Sequence, residues 1–112
     1  NEMVNNDVDE ITVFDLKEKF DKEDTFELID VREPHEYDIC AIESAVLIPM
    51  GDLEDSLESL DKSKSYVVHC KSGGRSARAV AMMKDYGFQD VVNLAGGILS
   101  WADNIDTALN KY

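Results

Sequence analysis

Four bulky residues in a row, Tyr66, Val67, Val68 and His69, lead through Cys70 and the pair Gly73–Gly74 into a helix-forming stretch. A strand that is bulky at every position must be covered on both faces, which places it at the centre of a parallel sheet flanked by helices. Few folds accept such a strand, and the rest of the chain supplies its neighbours. Glu10 to Thr12 suits a short edge strand, and Val13, Phe14, Leu16, Lys17 and Phe20 fall near helical spacing over 13–20. Phe26 to Val31 is β-rich and ends at Arg32-Glu33-Pro34, with Pro34 fitting the first turn of a short helix to Asp38. Ala45 to Ile48 is a brief apolar run stopped by Pro49. Leu53, Leu57 and Leu60 predict a helix over 52–60, opened by Gly51 or Asp52.

Beyond the central strand, Ala77, Ala79, Val80, Ala81 and Met83 predict a helix over 75–86, closed by Gly87 as a left-handed cap. Asp90 to Leu94 reads as the last strand and Gly96–Gly97 as the turn after it. Ile98, Leu99, Trp101, Ala102 and Ile105 form the apolar stripe of a final helix. Strand and helix alternate throughout, so the fold class expected is α/β with a mainly parallel sheet.

With 112 residues, 44% of them hydrophobic, the chain has material for one core and too little for two ordinary domains. Residues 10–112 are read as that domain. Residues 1–9, polar and aperiodic, are read as a disordered leader or the end of a linker, and a chain that opens on Asn1 is expected to be an excerpt of something longer. The net charge of −13 argues against nucleic acid or an anionic membrane surface as a partner. With two cysteines, Cys40 and Cys70, and neither a signal-peptide core nor a run of about 18 apolar residues, a cytoplasmic protein with free thiols is expected.

The charge is unevenly spread. Lys62, Lys64, Lys71, Arg75, Arg78 and Lys84 occur without an intervening Asp or Glu, leaving five bases for the remainder of the chain against all 24 acids. Cys70 stands within this run, at the carboxyl end of the central strand, where ligands of α/β sheets sit. Ser72, Gly73 and Gly74 let the backbone turn tightly enough to aim successive N–H groups inward, and the following helix adds the positive end of its dipole. A thiol in such a nest ionises below the free value of about 8.5, which makes Cys70 a candidate nucleophile rather than a small buried hydrophobe. Lys71 and Arg75 are candidate binders of an anionic substrate, with surface solvation as the plainer alternative.

Three segments, LIDVREPHEY (Leu28 to Tyr37), CKSGGRS (Cys70 to Ser76) and NLAGGILSW (Asn93 to Trp101), together resemble a single-domain rhodanese-like sulfurtransferase, from about residue 10 onward. The resemblance implies a rhodanese-like, mainly parallel five-stranded sheet with helices on both faces. It implies that Cys70 cycles between thiolate and persulfide, that Lys71, Ser72, Gly73, Gly74, Arg75 and Ser76 hold the substrate, and that no cofactor or metal is needed. Asp30 and Arg32 would stand at the rim, chiefly pairing with each other. The implied donor is thiosulfate or a persulfide-carrying protein, although some thiosulfate-using members carry Arg where this chain has Glu36. The closing segment from Gly96 is similar to domains fused behind adenylyltransferases of molybdopterin and thiamin biosynthesis. That similarity implies a small sulfur-carrier protein as acceptor and an adenylyltransferase, fused or separate, as partner.

Two other classes remain open on the residues. A Cys-dependent phosphatase or arsenate reductase also places Arg after a loop cysteine, but its loop is one residue longer than the four between Cys70 and Arg75. A noncatalytic interaction module usually lacks the cysteine, and Cys70 is present. Cys40, where the family commonly has glycine, is read as a small buried residue rather than a resolving thiol, and Ala41 replaces a histidine. His69 is expected to be packed, because adjacent strand residues point to opposite faces. His35 is expected to be exposed, and the two histidines have no metal-ligand spacing. Trp101 is assigned to the core and Gly96–Gly97 to close packing.

Overall fold

The computed structural model describes residues 8–112. Five strands, β1 (Glu10–Ile11), β2 (Glu27–Asp30), β3 (Val46–Leu47), β4 (Ser65–His69) and β5 (Asp90–Leu94), alternate with five helices. These are α1 (Val13–Asp21), α2 (Pro34–Ile39), α3 (Met50–Ser56), α4 (Gly74–Asp85) and α5 (Gly97–Asn104), with one 3₁₀ turn at Leu57–Ser59. The sheet order is β1-β5-β4-β2-β3 and every pairing among the described residues is parallel, so the mainly parallel expectation holds.

β4 takes the centre. Its residues Tyr66 and Val68 enter one apolar layer with Ile29, Leu53, Leu57, Ala79, Val80 and Met83, beneath α3 and α4. Val67 points the other way, into a layer with Val13, Leu16, Leu28, Ile98 and Trp101 under α1 and α5. Period-two alternation therefore demands apolar side chains on both sides, which is why the run is uninterrupted. From β2 the chain passes through α2 to β3, on one side of the sheet; from β4 it passes through α4 to β5, on the other. β2 and β4 are neighbours with outward connections in opposite directions, so the crevice at their carboxyl ends is the topological switch point.

Local chemistry sets the element ends. Thr12 opens α1 with a capping box: its Oγ1 accepts from the Asp15 N–H at 3.1 Å, and its own N–H donates to Asp15 Oδ2 at 3.0 Å. Thr12 is thus a cap and not the end of β1. Gly87, at φ 95°, closes α4 as expected. Pro49 precedes α3, which begins at Met50, ahead of the Gly51 or Asp52 start read from the sequence. Phe14 and Ala81, assigned to apolar stripes, are exposed, because each lies on the outer side of its helix. Of the expected leader, residues 1–7 lie outside the described residues, while the Asp9 carbonyl accepts from the Asn93 N–H at 2.8 Å and so joins β5. Among the described residues no helix is long and apolar enough to cross a membrane.

Candidate active site

Cys70 is the first residue beyond β4 and lies at the switch point. Gly73 caps α4 in the left-handed region at φ 118°, a conformation that costs little only without a Cβ. This turn folds the start of α4 back over the thiol. The Gly73 N–H donates to Cys70 Sγ at 3.1 Å, the Ser76 N–H at 3.4 Å, and the Ser76 hydroxyl reaches it at 3.3 Å. Burial pushes the Cys70 thiol up, since only 1% of the residue is exposed. Hydrogen bonds from Ser76 and from the N–H groups of Gly73 and Ser72 outweigh that, leaving the thiol below its ordinary range.

The Ser76 hydroxyl also contacts Asn93 Oδ1. One hydroxyl carries one proton, so it serves either the amide oxygen or the sulfur. With Cys70 protonated, S–H can donate to Ser76 Oγ while the hydroxyl points at Asn93; with the thiolate, the hydroxyl turns to sulfur. Asn93 is held in its orientation by Nδ2, which donates to the Gly73 carbonyl at 3.3 Å and to Glu10 Oε2 at 3.2 Å. Sequence pattern alone does not assign Asn93 to the site, although an amide inside the apolar run Val91 to Leu94 is a signal, because such a group needs partners once buried.

The second glycine pair braces the first. A Cβ on Gly97 would stand 2.4 Å from the Lys71 carbonyl oxygen and 2.6 Å from that of Cys70. The amides at the start of α5 donate to those same carbonyls, Ile98 N–H to Cys70 at 3.0 Å and Leu99 N–H to Lys71 at 3.1 Å. Gly96–Gly97 therefore do serve close packing: Gly97 packs against the cysteine loop and Gly96 against the Ser100 side chain one turn on. Trp101 joins the core as expected, edge-on to Phe20 with ring centroids 5.9 Å apart.

Asp30 and Arg32 are both fully buried and bind each other, with Arg32 Nη2 2.7 Å and Nε 2.9 Å from the carboxylate. Arg32 also donates to the carbonyls of Cys40 and Glu36 and to the Tyr112 hydroxyl, so all its capacity is spent holding the rim together. This is the structural role expected of the pair. Arg75, expected to face an anion, grips Glu36 instead through Nη1 at 2.7 Å and Nη2 at 3.0 Å. These bonds hold the Glu36 carboxyl well below the usual carboxylate range and raise Arg75 further. Tyr112 donates to Glu36 Oε2 at 2.7 Å, and burial and that carboxylate push its phenol up to about 12. Lys71 Nζ rests 4.4 Å from the centre of the Tyr112 ring. Nothing in the sequence pattern ties Tyr112 to the loop, since its partners lie far back along the chain.

The six cations do not form one island. Lys71, Arg75 and Arg78 stand at the carboxyl end of β4, but Lys64 lies 3.9 Å from Glu27 at the amino end, Lys84 pairs with Asp9, and Lys62 lies over the Phe88 ring. His69 is buried: its Nδ1 is 3.2 Å from the Cys70 carbonyl, its Nε2 lies 3.8 Å from Asp30 Oδ2 with no hydrogen-bond partner among the described residues, and burial lowers its basicity, so it is neutral with the proton on Nδ1. His35 is exposed. Cys40 is a free, buried thiol in the α1/α5 layer, on the opposite side of the sheet from the layer holding Cys70.

A parallel sheet that presents a hydrogen-bonded thiol at its switch point belongs among the thiol-bearing α/β domains. The chain belongs to the rhodanese-like domain family, whose family model matches residues 12–104. It is 41% identical over 95 residues to a putative sulfurtransferase, YtwF, of Bacillus subtilis, covering 85% of this chain and 91% of that protein. It is 39% identical over 104 residues to the probable adenylyltransferase/sulfurtransferase MoeZ of Mycobacterium tuberculosis, covering 91% of this chain but 26% of that protein. The chain thus spans about a quarter of that longer relative. A rhodanese-like domain protein from Staphylococcus aureus superposes with a TM-score of 0.80 at 34% identity, covering 93% of this chain and 98% of that one.

Proposed function

We propose that the chain is a sulfurtransferase that carries a sulfane sulfur as a persulfide on Cys70. The observation that carries this reading is the convergence of the Gly73 N–H, the Ser76 N–H and the Ser76 hydroxyl on one buried sulfur. Those donors favour the thiolate, which is the attacking species, so no separate base is required. The thiolate attacks the outer sulfur of a donor, the donor's S–S bond breaks, and the remainder leaves with the electron pair. The terminal sulfur of the resulting persulfide is an anion that needs the same kind of support, and amides at a helix start supply it. Attack of an acceptor nucleophile on that sulfur restores the thiolate.

Relatives support a reading of the pathway. One is a putative sulfur carrier protein, YrkF, of Bacillus subtilis, 34% identical over 94 residues; MoeZ joins adenylyltransferase and sulfurtransferase in one name. We assign this chain, on that basis, an acceptor among small sulfur-carrier proteins and a fused or separate adenylyltransferase partner, in molybdopterin or thiamin biosynthesis. Donor incubation followed by intact-mass measurement tests the chemistry. Wild type should gain one cyanide-labile sulfur mapping to Cys70, Cys70→Ser should gain none, and Cys40→Ser should retain the gain because Cys40 faces the other layer. Sulfur transfer persisting in Cys70→Ser would reject the mechanism.

A further inference from the structure

The mouth around Cys70 holds a carboxylate where a site for anions would gain from a free cation. Glu36 is the third residue of α2, and the local structure leaves it no freedom. Its Oε1 accepts from the Glu33 N–H at 2.9 Å and from Arg75 Nη1 at 2.7 Å; its Oε2 accepts from Arg75 Nη2 at 3.0 Å and from the Tyr112 hydroxyl at 2.7 Å. Four donors fill the carboxylate, and Glu36 is 7% exposed, so its charge is fixed and weakly screened. Arg75 is near enough to Cys70 for their charges to interact, but its guanidinium is already neutralised as a bidentate pair. An incoming anion therefore meets a thiolate beside a neutral pair, with the Lys71 ammonium set apart from that pair over the Tyr112 ring.

We propose that Glu36, by occupying the Arg75 guanidinium, makes the site select sulfur compounds bearing a single negative charge over dianions. Glu36 is on this account a specificity-determining residue, and the proposal rests on the sulfur-transfer reading of Cys70. A singly charged sulfur donor adds one charge to the thiolate already in the amide nest, which the loop N–H groups can share. A dianion adds two, and the Arg75 guanidinium that would balance the second is taken.

Two small donors that differ by one charge isolate the effect. With thiosulfate, the Cys70 thiolate takes the outer sulfur and sulfite, a dianion, leaves with the S–S electron pair. With methanethiosulfonate, a monoanion in which a methyl group replaces one oxygen, the same bond breaks and methanesulfinate leaves. Both give the same Cys70 persulfide anion, and cyanide then removes the sulfur as thiocyanate. Each step balances in charge and electrons without an outside oxidant or reductant.

The experiment is kcat/KM for thiocyanate formation from each donor, with intact mass used to confirm sulfur on Cys70. In Glu36→Gln the ratio of thiosulfate to methanethiosulfonate kcat/KM should rise by about ten-fold, the scale of one poorly screened charge. Adding Arg75→Gln to that variant should remove the rise, because the freed guanidinium is its cause. A ratio unmoved by Glu36→Gln, or a rise that survives loss of Arg75, would overturn the proposal. Should Glu36→Gln fail to fold, Arg75→Gln alone decides: it leaves the carboxylate uncompensated and should lower the ratio, and an unchanged ratio rejects the idea. If neither donor loads sulfur onto Cys70 in the wild type, the sulfur-transfer reading falls and this one with it. If both load and the ratio stays fixed, charge selection alone falls.

Discussion

The two glycine turns at the carboxyl ends of β4 and β5 are alike in backbone and opposite in use. Gly73 caps α4 at φ 118°, ψ −11°, and Gly96 caps α5 at φ 80°, ψ −11°. Each turn delivers a helix start with unpaired amides. At α4 those amides close on a side chain, the Cys70 sulfur; at α5 they close on main chain, the carbonyls of Cys70 and Lys71. One helix start stabilises the reactive atom, and the other fixes the peptide that bears it. The difference teaches that the glycines are not interchangeable: Gly73 is needed for its dihedral angles alone, whereas Gly97, also left-handed at φ 60°, is needed besides for the space its missing Cβ leaves.

That contrast can be broken by substitution. The largest effect should come from Gly97→Ala, where the new methyl meets two carbonyl oxygens of the cysteine loop, neither of which can move without disturbing β4. A stability loss of about 2–4 kcal/mol in urea unfolding is expected, with at least ten-fold slower sulfur loading. Gly73→Ala should cost less, about 1–2 kcal/mol, because the nearest atom to its added Cβ is 3.5 Å away and only the backbone angle is strained. A loss at Gly73 equal to that at Gly97 would erase the distinction between dihedral and space.

A smaller effect sharpens the account of α4. Ser76→Ala removes the hydroxyl, though not the N–H, that supports the thiolate, so the Cys70 pKa should rise toward the ordinary thiol range. The pH profile of Cys70 alkylation in a Cys40→Ser background would report it, and an unmoved profile would mean that the amides alone set the acidity. The smallest effect is on stability. Cys70 has a depressed pKa in the folded chain, so its contribution is fully present above the unfolded value of about 8.5 and is lost as pH falls through the folded value. Wild type measured against Cys70→Ala should therefore gain stability as pH rises across that window, and Ser76→Ala should narrow it. A difference independent of pH would show that the nest does not favour the thiolate.

Much of the fold is legible in local pattern. β5, the left-handed cap at Gly87 and the central place of β4 follow from periodicity and glycine position, because those signals act within a few residues. The misplaced stripe residues Phe14 and Ala81 show where such signals stop: helical spacing names a face only once the partner layer is known. The site divides in the same way. Cys70, Gly73, Gly74 and Ser76 form one contiguous turn, so their grouping can be read directly. The pairing of Arg32 with Asp30 is close in sequence and was equally accessible.

Arg75 marks the limit. Its sequence neighbours suggest a cation free to meet an anion, but its partner is Glu36, which is far along the chain and reaches it only because β2 and β4 lie side by side and α2 and α4 begin at the same end of the sheet. Tyr112 and Asn93 enter the site by the same route, from α5's trailing segment and from β5. Residue order alone specifies the alternation of elements, the thiol in its glycine turn and the surplus of acid over base. Which charges cancel at the mouth, and which backbone braces the cysteine, were decided only when the sheet brought distant strands together, because Coulomb and hydrogen-bond energies depend on distance in space and not on separation along the chain.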